Sequence, residues 1–294
     1  MYRKMCQALQ PPPPEVASVA NLSFPGPAGP VGLRLYRPLR AGIAEAAAGD
    51  PLPVVVFFHG GGFTIGDLDT HDVPCRMLAN FARCAVLAVE YRLGPEHRFP
   101  AAFEDAVAAV RWTAAHAVDL GLDGERIAVA GDSAGGNLAA GAALALRGGE
   151  PRIALQVLLY PGVDMHGLWP SRAEYAKGYL LEREDMLWFR GNYLRNEADA
   201  RDWRASPLLA ENHSGLPPAY IFTAGFDPLR DEGAAYAERL HASGVRVTHE
   251  CFEGMIHGFV TMGAALAAAN HALYRAAQGL RLAFSPRGTR DPRG

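Results

Sequence analysis

Residues 131–136 read Gly-Asp-Ser-Ala-Gly-Gly and lie between a short apolar run, residues 127–130, and a stretch rich in small residues. This order is typical of the strand, sharp turn and helix of a nucleophile elbow. Glycine suits the positions on either side of the serine because the tight turn leaves no room for side chains there. The helix predicted over residues 137–147 directs its N-terminal N–H groups at the same place. Ser133 is the candidate nucleophile, although the motif alone fits a structural glycine turn equally well.

A second glycine-rich segment, His-Gly-Gly-Gly at residues 59–62, follows the β-prone run of residues 54–58. Consecutive glycines bring backbone N–H groups close to a ligand without side-chain interference. Such groups bind the oxyanion of a tetrahedral intermediate, together with the residue after the nucleophile. The expected donors are Gly61, Gly62 and Ala134. The expected supporting residues are His59, with a structural hydrogen bond, Gly60 and Asp132. A phosphate-binding loop is the alternative, but no Lys-Ser/Thr pair and no GxGxxG spacing accompany the glycines.

An acid and then a histidine follow the serine in a chain with this elbow. Asp227 comes after the strand-like run of residues 219–224, and His257 comes after a second run, residues 245–252. Both are predicted at carboxyl ends of strands, where open α/β sheets place their sites. The competing acids are Asp231, Glu232 and Glu253, and the first two fall within a predicted helix. The histidines interpreted as solvated or helix-surface residues are His213, His241, His249 and His271.

Further motifs occur in order along the chain. They are Tyr-Arg-Leu-Gly-Pro-Glu-His-Arg-Phe-Pro-Ala at residues 91–101, Tyr160-Pro161, residues 227–232 and His257-Gly258-Phe259. From about residue 31 to 282 the chain resembles the hormone-sensitive-lipase-like branch of the α/β-hydrolases, which carries HGGG and GDSAGG signatures. Gly94 stands where that family's version of the first motif has alanine. The resemblance implies a serine carboxylesterase for short to medium acyl chains, with Ser133 as nucleophile, His257 as base and Asp227 orienting the histidine.

Strand-like and helical segments alternate along most of the chain, which predicts an α/β fold with a mostly parallel central sheet flanked by helices. Strands are expected at residues 15–23 and 32–36 and near residues 54, 85, 127, 155, 220 and 247, and a helix over residues 100–116. With the resemblance, this becomes an α/β-hydrolase fold with a helical cap. The expected divisions are an N-terminal segment, residues 1–30, forming a partial cap; the hydrolase domain, 31–284, with a cap insertion at about 165–204; and a disordered tail, 285–294. Residues 41–50 are expected to form a surface loop.

The N-terminus departs from the family pattern. Only residues 1–10 can form a helix before four consecutive prolines at residues 11–14, whereas members of the family usually carry a longer helical segment there. We therefore expect either an incomplete cap or an open acyl pocket. The aromatic side chains of residues 165–204 are interpreted mainly as core residues of the second cap element.

The composition is typical of a single enzyme domain that does not bind a polyanion such as nucleic acid. The 294 residues are 49% hydrophobic and carry a net charge of −3 without a basic cluster, so nucleic acid is not an expected partner. The sequence shows no signal peptide and no run of eighteen apolar residues, which predicts a cytoplasmic protein without membrane insertion. Four cysteines lack CxxC spacing and are expected to be free thiols. No cofactor or metal is expected, because no metal-binding motif is present.

Two other functions share the same motifs. A small-molecule receptor can be built on this fold, but such proteins tend to lose a member of the triad, and none is lost here. An amide or N-acyl substrate remains open, because a triad does not distinguish esters from amides. The resemblance also suggests a homodimer formed through the sheet edge near residues 245–252.

Overall fold

The structure is a computed structural model that describes residues 2–39 and 50–285. Except for their boundary residues Asp50 and Ser285, the predicted surface loop and C-terminal tail lie outside the described residues.

An eight-stranded sheet forms the centre of the molecule. Its strands are β1 (Ser18–Gly26), β2 (Gly29–Arg37), β3 (Leu52–Phe58), β4 (Ala85–Glu90), β5 (Leu122–Asp132), β6 (Ile153–Leu159), β7 (Ala219–Phe226) and β8 (Val247–Ile256). Their order across the sheet is β1-β2-β4-β3-β5-β6-β7-β8. Pairings from β4 to β8 are parallel, whereas β2 pairs antiparallel with both β1 and β4. The prediction of a mostly parallel sheet is confirmed.

Helices cover both faces of this sheet. They are α1 (Tyr2–Leu9), α2 (Asp72–Ala82), α3 (Ala101–Ala115), α4 (Ala134–Ala145), α5 (Pro170–Glu174), α6 (Arg183–Tyr193), α7 (Arg230–Ala242) and α8 (Ala267–Phe284). Core residues of α3, α4 and α7 pack on one face, and those of α2 and α8 on the other. None of the described helices is both long and apolar enough to cross a bilayer.

Strand β3 shows why the sheet needs both layers. Val54, Val56 and Phe58 belong to one hydrophobic cluster, and Val55 and Phe57 belong to the cluster on the opposite face. Because successive side chains of a strand point to opposite faces, an uninterrupted apolar run is stable only when both faces are covered. β3 therefore occupies the middle of the sheet, and the loop after it starts from a rigid support.

Several element boundaries differ from those expected from the sequence. Helix α4 begins at Ala134, directly after the serine, rather than at Asn137. Gly135 and Gly136 are poor helix formers, but here they allow close packing: a Cβ on Gly136 would lie 2.9 Å from the Cβ of Pro161. Strand β8 continues to Ile256 instead of ending at Phe252, because Phe226 of β7 still pairs with Ile256 after a register shift.

Candidate active site

The site residues meet because their strands are neighbours with a common direction. β3 and β5 pair in parallel, so the residues 59–62 loop and Ser133 emerge side by side from the carboxyl edge of the sheet. Asp227 directly follows β7, and His257 directly follows the adjacent strand β8. Segments up to about 200 residues apart are thereby brought to one edge.

Ser133 has the backbone conformation of a sharp turn, with φ 55° and ψ −118°. This conformation is strained for a residue with a side chain. The flanking glycines make it accessible: a Cβ on Gly135 would lie 1.9 Å from the Phe58 carbonyl oxygen, and one on Gly131 would lie 2.3 Å from the Gly135 carbonyl oxygen. The sequence predicted that glycine is needed at both positions because of contact with the serine. In the structure the close contacts are instead with Phe58, at the end of β3, and between the two glycines.

Ser133, His257 and Asp227 form one hydrogen-bonded chain. The Oγ atom of Ser133 lies 2.8 Å from Nε2 of His257, and Nδ1 of His257 lies 2.8 Å from Oδ2 of Asp227. Asp227 is fully buried, and its other oxygen accepts the N–H of Leu229 at 2.8 Å. Since that carboxylate accepts from Nδ1–H, Nε2 is left to accept the hydroxyl proton of Ser133. Glu253, a competing acid, is exposed on β8.

The three expected oxyanion donors keep their N–H groups unused. Among the described residues, none of Gly61, Gly62 and Ala134 donates its backbone N–H to an acceptor. Gly60 differs, because its N–H is bound by Oδ1 of Asp132 at 2.8 Å. The Gly60 N–H is hydrogen-bonded to the elbow, which leaves the N–H groups of Gly61 and Gly62 available. This arrangement is suited to binding an anion beside Ser133.

Asp132 connects the elbow to the glycine loop from below. It is 2% exposed, and its Oδ1 also lies 3.1 Å from Nε2 of the buried His71. Burial opposes ionisation, but the imidazoles of His71 and His59 and the Gly60 N–H outweigh it and hold the pKa of Asp132 below its ordinary value. A Cβ on Gly60 would lie 2.4 Å from Oδ2 of Asp132, so only glycine permits this approach.

His59 is buried at the base of the glycine loop. Its Nδ1 lies 2.8 Å from the Gly60 carbonyl oxygen, and its ring stacks on Tyr91 at 4.4 Å between centroids. The Tyr91 hydroxyl donates to the His59 carbonyl oxygen at 2.7 Å. Burial, together with the neighbouring His71, lowers the pKa of His59 to about 4. A neutral His59 is therefore built into the base of the loop.

Glu232, one of the competing acids, lies on α7 and binds other elements instead of the histidine. Its Oε1 accepts the N–H groups of Val163 and Asp164 at 2.8 and 3.1 Å, and its Oε2 accepts Nε of Arg172 at 3.0 Å. It is 1% exposed, and burial raises its pKa to about 7 although Arg172 acts in the opposite direction. Glu232 thus joins α7 to the start of the 165–204 segment and to α5.

A cavity of about 1200 Å³ opens above Ser133. The 165–204 segment forms much of its wall, with Met165, Met186 and Phe189 among the lining residues, and α1 contributes Tyr2 and Met5. The rim carries exposed apolar side chains, which are Leu168, Leu180, Leu187 and Trp188. A mostly apolar cavity with a few polar groups is typical of a small-molecule site.

Sequence reasoning missed His71 and Arg172, and it misplaced His213. His213 is buried rather than solvated, and its Nε2 lies 3.0 Å from the Pro207 carbonyl oxygen. His71 and Arg172 lie about 60 residues from their partners Asp132 and Glu232, so no local pattern marks them. Cys6, Cys75, Cys84 and Cys251 are free thiols, as expected. Within the described ranges, no cluster of His, Cys, Asp and Glu is suited to a metal ion.

Comparisons with known proteins identify the family of this chain. Residues 55–261 match the model of a family described as having the alpha/beta hydrolase fold. The carboxylic ester hydrolase LipN of Mycobacterium tuberculosis is 46% identical, with 88% of this chain and 69% of that protein covered. Esterase LipI of the same organism is 45% identical over 93% of this chain and 84% of its own. The crystal structure of EstE1, a thermostable carboxylesterase cloned from a metagenomic library, superimposes with a TM-score of 0.89 at 43% identity, covering 97% of this chain and 94% of that one.

The fold, the elbow and these matches define the class: the chain belongs to the α/β-hydrolase fold family. Two predictions from the sequence are confirmed: the chain is a member of the hormone-sensitive-lipase-like esterases, and it is a carboxylic ester hydrolase.

Proposed function

We propose that this protein is a serine carboxylesterase that hydrolyses esters of short to medium acyl chains through Ser133, His257 and Asp227. The observation that carries the proposal is the continuous hydrogen-bonded chain from Ser133 Oγ through His257 to the buried Asp227. The cavity above it supplies room for an ester, and the unused N–H groups of the glycine loop supply anion donors.

The proposed reaction begins when Nε2 of His257 accepts the Ser133 proton as Oγ attacks the ester carbonyl carbon. The carbonyl oxygen becomes an oxyanion, which the N–H groups of Gly61, Gly62 and Ala134 stabilise. The carbon–oxygen bond to the alcohol then breaks, and His257 returns its proton to the departing alcohol. Water attacks the resulting acyl-enzyme by the same route, which releases the acid and restores Ser133.

The deciding experiment compares hydrolysis of p-nitrophenyl esters from acetate to palmitate by the wild type and by Ser133→Ala. We expect a maximum at short or medium chains in the wild type and a loss of about 10⁴- to 10⁶-fold in kcat in the variant. Equal unfolding temperatures of the two proteins would show that the loss is chemical. Turnover by Ser133→Ala near the wild-type rate would refute the proposal, and preference for acyl anilides over matched aryl esters would identify an amidase instead.

The proposed role of His257 has a pH signature. Only a neutral imidazole can accept the Ser133 proton, so protonation of this ring in acid should abolish kcat/KM. Activity that persists at every acidic pH at which the protein stays folded would contradict this role.

A further inference from the structure

The backbone of Tyr160, directly after β6, has a conformation that tyrosine rarely adopts. Its φ is 36°, in the positive range that residues with a side chain disfavour. Such strain persists only where the surrounding structure fixes it, and strained residues are concentrated at functional sites. Ser133, the proposed nucleophile, also has a positive φ. The strain at Tyr160 therefore indicates that its side chain has a task at the same site.

The chain on either side of Tyr160 is hydrogen-bonded to the elbow. The N–H of Ser133 donates to the Leu159 carbonyl oxygen at 2.8 Å, and the N–H of Gly162 donates to the Ser133 carbonyl oxygen at 3.3 Å. Tyr160 itself donates its N–H to the Phe222 carbonyl oxygen at 2.6 Å. These bonds hold Tyr160 in its strained conformation between the two backbone partners of Ser133.

The ring of Tyr160 packs against the imidazole of His257. The two ring centroids are 4.8 Å apart at an interplanar angle of 59°, and both residues are buried. The hydrogen bonds of the imidazole, to Asp227 and to Ser133, act at its two nitrogens and in its plane. They therefore resist least a tilt of the ring about the line that joins these two partners. A packed ring beside the imidazole restricts that tilt.

The hydroxyl of Tyr160 lies near the carboxylate that binds the glycine loop. Its oxygen is 3.5 Å from Oδ2 of Asp132, at the outer limit of a hydrogen bond. Burial and the charge of Asp132 raise the pKa of Tyr160 well above its ordinary value, although a hydrogen bond from the backbone N–H of Val260 acts in the opposite direction. The hydroxyl therefore keeps its proton and directs it at Asp132. One side chain thus contacts the imidazole of His257 and the carboxylate that accepts the Gly60 N–H.

We propose that Tyr160 is a positioning residue that fixes the imidazole of His257 relative to Ser133 and joins it to Asp132. The inference rests on the proposed esterase function. Tyr160 is not one of the described residues that line the cavity, so it acts through His257 and Asp132 rather than on the substrate. Its loss should consequently lower kcat and leave KM nearly unchanged.

The test measures kcat and KM for p-nitrophenyl acetate in the wild type, Tyr160→Leu and Tyr160→Phe. Tyr160→Leu removes the ring beside His257, so kcat should fall by about 30-fold or more while KM stays within about twofold. Tyr160→Phe keeps the ring and lacks only the hydroxyl. It should recover most of that loss, with kcat about two- to tenfold below the wild type.

Tyr236→Leu is the matched control. Tyr236 is also fully buried, but it lies on α7, where its ring faces His213 and its hydroxyl has no partner among the described residues. Removing either tyrosine ring from the core should lower the unfolding temperature. Only Tyr160→Leu should also lower kcat, measured at a temperature at which all the proteins are folded.

The pair Tyr160→Phe and Asp132→Asn keeps the proposal testable if Tyr160→Leu does not fold. Because the hydroxyl acts through Asp132, the double variant should have the kcat of Asp132→Asn alone instead of the product of the two losses. Multiplicative losses would contradict the link between Tyr160 and Asp132.

The proposal is overturned if Tyr160→Leu keeps the wild-type kcat, if it raises KM instead, or if Tyr236→Leu loses kcat equally. In each case the esterase function stands, because hydrolysis by the wild type still depends on Ser133. Absence of any Ser133-dependent ester hydrolysis by the wild type would overturn the esterase function itself, and this inference with it.

Discussion

At the scale of single residues, the loop that carries the expected oxyanion donors depends on one buried carboxylate. Asp132 directly precedes Ser133, but its carboxylate binds the Gly60 N–H and faces His71 instead of contacting His257. Its location beside Ser133 in the sequence says nothing about this task. Because it is 2% exposed and bound to the Gly60 N–H, Asp132 can hold the loop in position relative to Ser133.

Replacing Asp132 with asparagine tests this positioning role. The amide keeps the shape but lacks the charge that faces His71, so the loop should lose its fixed position relative to Ser133. We expect kcat for p-nitrophenyl acetate to fall by about 10- to 100-fold while KM stays within about twofold, since the loss falls on the transition state. Asp123→Asn, at the opposite end of β5, is the control. An unchanged kcat in Asp132→Asn would contradict the role.

The residues of the predicted triad could be proposed from the sequence because each one comes shortly after a strand-like segment. Parallel strands place their carboxyl ends at one edge, so Ser133, Asp227 and His257 were expected to converge there. His71 could not be found in this way. It precedes α2, carries no motif, and becomes significant only through Asp132, 61 residues later in the chain.

At the scale of elements, Glu232 joins three pieces that border the cavity: α7, the chain after β6, and α5. Arg172 is the link to α5, because it donates to Glu232 and also to the Gly167 carbonyl oxygen at 2.7 Å. The sequence identified Glu232 only as a rival to Asp227. Its helical position correctly excluded that role, but its partners come from segments whose arrangement the sequence pattern does not specify.

The raised pKa of Glu232 gives stability a pH dependence. A folded-state pKa of about 7 lies above the value in the unfolded chain, so the folded protein holds this proton more tightly. The contribution is complete below about pH 4.5 and is lost as the pH rises through 7. Relative to Glu232→Gln, whose side chain does not titrate, the wild type should lose up to about 3 kcal/mol of unfolding free energy between pH 4 and 8.

Urea unfolding of the two proteins at several pH values measures this difference. The quantity compared is the change in unfolding free energy with pH, not the difference between the two proteins at one pH. Glutamine also removes a hydrogen-bond acceptor from Arg172, which lowers stability at every pH. Parallel curves would mean that Glu232 titrates at its ordinary value.

The start of α4 illustrates what propensity cannot predict at this scale. Two glycines near a helix start weaken the local preference for helix, which moved the predicted start to Asn137. In the structure both glycines lie within the helix. Phe58 and Pro161 approach them so closely that a residue with a Cβ would not fit. Close packing therefore decides the residue type at the start of α4, next to Ser133, although glycine has a low helix propensity.

At the scale of the whole molecule, β8 is the open parallel edge of the sheet. Its side chains are half-buried or exposed, and its outer backbone groups have no neighbouring strand within the described residues. An edge of this length is a template for pairing with another strand. The homodimer expected through this edge therefore remains our proposal.

Light scattering over a tenfold range of protein concentration should give twice the chain mass of 31.5 kDa. Thr248→Lys, which adds a charge to the β8 edge, should shift the mass towards that of one chain. A single-chain mass for the wild type at every concentration would contradict dimer formation.

Gly94 permits a close approach of α6, because a Cβ at this position would lie 2.5 Å from the carbonyl oxygen of Asn192. Glycine and alanine codons differ by one base, so a lineage can exchange the two residues in a single mutational step. Alanine at position 94 would displace α6, which lines part of the cavity, without altering any residue of the expected triad or of the glycine loop. One base change can therefore reshape a wall of the cavity while the residues expected to carry out the chemistry stay the same.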